Sequence, residues 1–313
     1  MNTRSLQLAR SVLAAGAVAL CLFAASGRLT VATSVGPSTA GPKDIDAALA
    51  SQHTRSETEI RLEDRPDLLS RADNVRDGLS LPAGTTRSAR HVQDGFLAIE
   101  YDEVAELDGA GQPVSMTQFD GTGALLVAVR FDNPAGGTIR TTRDGAIGSA
   151  KRGAAQAGLA TVGQPTVDTV ADAGGWYVHW DRRQDGLPVR GDEVRVRVWP
   201  DGRIQSVARV EHQLDKAPAR RLSQADASTA VTKLVTSWSS PSGASYSLQS
   251  LDLQWVGPNA AFDPAKLTAA PAPYRLAWVA SEKPIGPLAD YVGMVTVYID
   301  AGSGTVIGGD FVE

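Results

Sequence analysis

Residues 185–207 read DGLPVRGDEVRVRVWPDGRIQSV. Val194, Val196 and Val198 alternate with Arg195 and Arg197, the period of a strand with one buried face. Pro200-Asp201-Gly202 then supplies turn residues, and RIQSVARV (203–210) returns as a second strand. Upstream, GWYVHWD (175–181) places Val178 between Trp176 and Trp180, while Tyr177, His179 and Asp181 share the opposite face. A second stretch has the same grammar: MVTVYI (294–299), the turn Asp300-Ala301-Gly302-Ser303-Gly304, then TVIGG (305–309).

Each stretch follows a helical pattern. Ser223 with Asp226 three residues on marks a capping box. Ala227, Ala230, Val231, Leu234, Val235 and Trp238 then form one apolar stripe. About 146–159 is a second, Gly-broken helix, in which Gly148, Gly153 and Gly158 each weaken helix propensity by about 1 kcal/mol. These periods predict an α+β fold of two tandem units, 140–215 and 216–313, each a helix packed on an antiparallel sheet. Asp-Gly clusters at 108–111 and 120–123 separate strand runs and make 94–139 a β-hairpin region.

Residues 1–27 read as an export signal. Arg4 and Arg10 precede an uncharged run, Ser11 to Gly27, that ends in small residues. The run is just long enough to leave an uncleaved membrane anchor as the alternative. Cys21 is the single cysteine, so a cleaved chain has none, as suits an oxidising compartment. Residues 28–93 are polar, Pro/Gly-spaced and then charged, and are expected to be a flexible to weakly ordered tether.

Composition removes several function classes. The chain has 313 residues, Lys+Arg 30 against Asp+Glu 35 and a net charge of -5, with no concentrated basic block for nucleic acid. One cysteine and four histidines exclude cysteine-based zinc, iron–sulfur or disulfide frameworks. His179 has no His or Cys at ligand spacing, and no metal or cofactor site is expected. The acidic residues Asp102, Glu103, Glu106 and Asp108 fit no cation loop and read as a solvated hairpin end. No His-Glu-x-x-His, Gly-x-Ser-x-Gly or Ser-x-x-Lys occurs. Most tryptophans fall at alternating strand positions and belong to the core. Trp199 closes its strand on the Arg195 and Arg197 face, and these three residues are the candidates for an exposed, partner-facing patch.

At these residues the chain resembles a known family. The segment 185–207 is similar to the hairpin of the fungalysin/thermolysin propeptide. Residues 222–235, 274–281 and 295–309 resemble a PepSY domain, with a strand ending in Asp-Ala-x-x-Gly-x-Val. The matching motif residues are the turn positions Gly186, Pro188, Gly191, Asp201, Gly202, Asp300 and Gly304. The resemblance implies a non-catalytic, exported binding or regulatory protein whose partner is a protein or peptide of the cell envelope or medium. Its most specific form is an inhibitor or folding chaperone of an extracellular thermolysin-like metallopeptidase, acting on a separate chain. An enzyme of a type that no motif marks is the remaining alternative.

Overall fold

The computed structural model describes residues 55–94, 99–132, 140–169, 175–242, 245–259, 261–262, 272–286 and 293–312. The expected export signal lies outside them, as does the first part of the expected tether. No helix among the described residues is long and apolar enough to cross a membrane.

Thirteen strands and three α-helices make up the described regular structure, with one short 3-10 turn. In chain order they are β1 (Arg55–Glu59), α1 (Pro66–Leu79), β2 (Thr86–Asp94), β3 (Ile99–Leu107), β4 (Pro113–Asp120), β5 (Leu125–Arg130) and α2 (Arg143–Gln156). There follow β6 (Thr166–Thr169), β7 (Trp176–Gln184), β8 (Leu187–Val198), β9 (Ile204–Val210), α3 (Gln224–Ser242), β10 (Ser245–Val256), β11 (Arg275–Ile285), β12 (Met294–Asp300) and β13 (Val306–Val312). Strand pairing follows the order β1-β2-β3-β4-β5-β9-β8-β10-β11-β12-β13, with β7 on β8 and β6 on β7. All pairings with a given register are antiparallel except β8 with β10, so the sheet is mixed.

This overturns the expected α+β fold of two tandem helix-on-sheet units. Among the described residues the architecture is a large mixed sheet of 13 strands with three α-helices. The local periods were those of real strands, but local periods do not say which strands are neighbours. β5 pairs with β9 through Val127↔Ala208, Ala128↔Val207 and Val129↔Ser206. Strands β2 to β5 are therefore continuous with the sheet that holds residues 194–210. The tether expectation also fails from Arg55 onward. Pro66 opens α1, and Leu68, Ala72, Val75 and Leu79 recur on one buried face among the charges.

Two compact units are present. One comprises the described residues up to Arg182 together with Gly191–Glu211. Its core packs α1 and α2 residues, Leu68, Val75, Ala146, Ala150 and Ala154 among them, with Val104, Phe119, Val178, Trp180, Val196 and Val207. Gly153 of α2 faces this core, and a Cβ built on it would lie 2.1 Å from Ile204 Cδ1. The other unit comprises Arg183–Arg190 and the described residues from His212. There Ser223 caps α3 by accepting from the Asp226 N–H at 3.2 Å, and the Ser223 hydroxyl donates to Asp226 Oδ2 at 2.6 Å. Ala227, Val231 and Val235 are buried, and the two valines pack with Ala280, Val295, Val297 and Ile299.

Candidate functional site

The family-motif residues occupy turns and strand irregularities. Asp185 (φ 53) and Gly186 (φ 78) are both left-handed. They form the two-residue connection between β7 and β8, which suits the natural strand twist. Pro188 and Gly191 lie within β8, Gly191 at φ 86. Asp201 Oδ1 accepts from the Arg203 N–H at 3.0 Å, and Gly202 takes φ 85. Asp300 Oδ1 accepts from the Gly302 and Ser303 backbone N–H groups at 3.0 and 2.7 Å, with Gly304 at φ 73. These roles are structural and gather no common site.

Trp199 is 4% exposed, which corrects the expectation of an exposed aromatic. Arg130 and Arg203 lie at its ring, 5.4 and 5.0 Å from the centroid. Both guanidinium groups bond the Asp132 carboxylate. Burial works against ionisation of Asp132, but hydrogen bonds from Arg130 and Arg203 prevail and hold its carboxyl below the usual range. Arg195 and Arg197 are half-buried on β8. Arg195 pairs with Glu193, and Arg197 lies over the Tyr177 ring at 5.5 Å.

Of the expected solvated hairpin end, Asp108 does sit in the turn, where its Oδ1 accepts from the Ala110 and Gln112 N–H groups. Glu103 and Glu106 instead belong to a buried polar network. Glu103 is 3% exposed and bonds Arg90 and Gln118. Glu106 bonds Arg76, Arg87 and the Gly84 N–H. Buried carboxylates require such partners.

Two features remain that could engage another molecule. The first is a side-chain cluster on β7 and β8. Glu193 Oε2 lies 3.1 Å and Asp181 Oδ1 3.6 Å from His179 Nδ1, while Asp168 Oδ2 of β6 lies 3.5 Å from Nε2. The Nδ1 atom is buried between the Asp181 and Glu193 carboxylates. Hydrogen bonding to Asp181 first, then to Glu193, outweighs burial and pushes the imidazole up to about 10. Spacing along the chain could not reveal this cluster, since Glu193 arrives from the next strand; only the strand face shared by His179 and Asp181 was visible.

The second feature is the strand β10. It pairs with β11 from Ser245 to Val256, interrupted by a bulge at Gln249. On its other edge the described residues provide one ladder partner, Val189 opposite Trp255. Gln224 Nε2 donates to the Leu251 carbonyl at 3.3 Å. Asp252 is the single charge in SYSLQSLDLQWV, whereas β1 reads RSETE. Leu248 is 42% exposed.

No family model matches the sequence, and no curated protein does. Among solved structures the chain is similar to the Bacillus megaterium YpeB C-terminal domain. The identity is 12%, over 82% of this chain and 99% of that chain, with a TM-score of 0.42. At those values neither fold nor chemistry is carried from one protein to the other.

Proposed function

We propose that the protein is an exported, non-catalytic binding protein that takes an extended polypeptide segment by strand addition along β10. The observation that carries this reading is the edge of β10 itself. Through Gln254, the described residues give it no ladder partner on that side. Sheet edges ordinarily carry charge, proline or a covering element, because unpaired N–H and C=O groups recruit further strands. β1 has such charge; β10 has Asp252 alone. Main-chain hydrogen bonds would supply affinity, and the exposed Leu248 would contact a side chain of the guest. The family resemblance supports a partner in the envelope or medium, with an extracellular metallopeptidase as its most specific form.

The test is a display library of unstructured peptides selected on the full chain, followed by affinity measurement with two variants. Gln249 sits at the bulge, outside the β10–β11 register, a strand position where proline is tolerated. Gln249→Pro and Leu248→Lys should each weaken the selected peptides at least tenfold with an unchanged circular dichroism spectrum. Peptides that bind both variants as well as the parent would refute strand addition at β10.

A further inference from the structure

We propose that His179, Asp181 and Glu193 form a binding site for one divalent transition-metal cation of the zinc type, apart from the β10 edge. One nitrogen and two carboxylate oxygens, one from each residue, lie within 4.8 Å of one another. Imidazole with carboxylates is a donor set that zinc accepts at about 2.0–2.2 Å. Two donors on a tetrahedral ion at that range stand about 3.4 Å apart. The separations of His179 Nδ1 from Glu193 Oε2 and Asp181 Oδ1, 3.1 and 3.6 Å, bracket that edge.

Two further observations fit a ligand at Nδ1. Asp168 stands at the other ring nitrogen, 3.5 Å from Nε2. An ion at Nδ1 displaces the proton held there, and a carboxylate at Nε2 can accept the hydrogen bond of the remaining N–H, the outer-shell arrangement of metal-bound histidines. Glu193 is held through its other oxygen, Oε1, by Arg195. That contact leaves Oε2 toward the imidazole, as ligating carboxylates are commonly fixed. The side chains of His179 and Glu193 are 21% and 12% exposed, whereas that of Asp181 is 63% exposed. An ion therefore has a rigid inner wall, a solvent entry path and a fourth position for water.

The experiment uses the full chain, freed of metal with chelator and dialysed against zinc chloride, with bound metal measured by elemental analysis. Cobalt(II) provides a parallel spectroscopic probe. The expected result is one zinc per chain and a visible cobalt absorption band of low-symmetry, near-tetrahedral type. His179→Ala should abolish both. Asp181→Asn alters an exposed side chain without changing its volume; it should weaken zinc at least tenfold and guards against a His179 variant that does not fold. Asp168→Asn should weaken zinc about 10- to 100-fold without changing the stoichiometry. No retained zinc in the parent chain, or equal retention by the His179 and Asp181 variants, would overturn the assignment.

Discussion

The Arg203 guanidinium lies 5.0 Å from the centroid of the Trp199 ring, and both groups belong to one turn: the Trp199 N–H donates to the Arg203 carbonyl at 2.9 Å. The tryptophan that closes β8 is thereby a structural pin, held between arginines that share Asp132. Trp199→Ala should destabilise the chain by about 3–5 kcal/mol, the usual range for deleting a buried tryptophan. Arg203→Ala should remove no more than about 1 kcal/mol, because that side chain is 36% exposed. Urea unfolding measures both. A Trp199→Ala variant with undiminished stability would restore this residue as a surface group.

The apolar stripe of α3 is expected to be intolerant of charge. Val231 is 1% exposed and packs with Val295, Val297 and Ile299 among others. Val231→Asp would bury a carboxylate without a partner and should lose about 3–5 kcal/mol. Thr232→Asp, one position along on the exposed face, should change thermal unfolding little.

Two glycines of α2 should respond with opposite signs. Gly148 has ordinary space around a built Cβ, with Arg152 Nη1 at 3.5 Å. Gly148→Ala should stabilise by about 0.5–1 kcal/mol through helix propensity. Gly153→Ala carries the same propensity gain, but its Cβ meets Ile204 Cδ1 at 2.1 Å, so the helix or Ile204 must shift. The second variant should melt below the first and below the parent chain.

Glu282 provides a pH test. It is 2% exposed on β11, and burial alone pushes its carboxyl up. A carboxyl whose folded value is raised binds its proton more tightly in the native state. Its favourable contribution is therefore complete below the unfolded value of about 4.3 and is lost as pH rises through the folded value. Glu282→Gln should raise the melting temperature at pH 7, and the gain should fade as the pH is lowered toward 4. A gain that persists unchanged at acid pH would mean that ionisation of Glu282 is not its cause.

Much of the local structure was legible because it rests on short-range chemistry. The Ser223 cap, the α3 stripe, the Val194–Val198 alternation and the Asp-Gly turns all follow from residues within a few positions of one another. The fold class did not follow. Whether β5 joins β9, or β8 joins β10, depends on pairings between distant segments that no local period encodes. The helix α1 was hidden because PDLLSRADNVRDGL places four core residues among charges, and its Pro66 start resembles a loop signal as much as a helix start. The His179 cluster failed to show for the same reason as the fold: two of its carboxylates, Asp168 and Glu193, come from neighbouring strands.

Hydrogen exchange of the full chain, with and without a saturating selected peptide, tests strand addition most directly. The account requires peptide-dependent slowing of backbone amides within residues 245–254 and no comparable change in β1. Protection elsewhere, with the β10 amides exchanging at the same rate in both states, would contradict it.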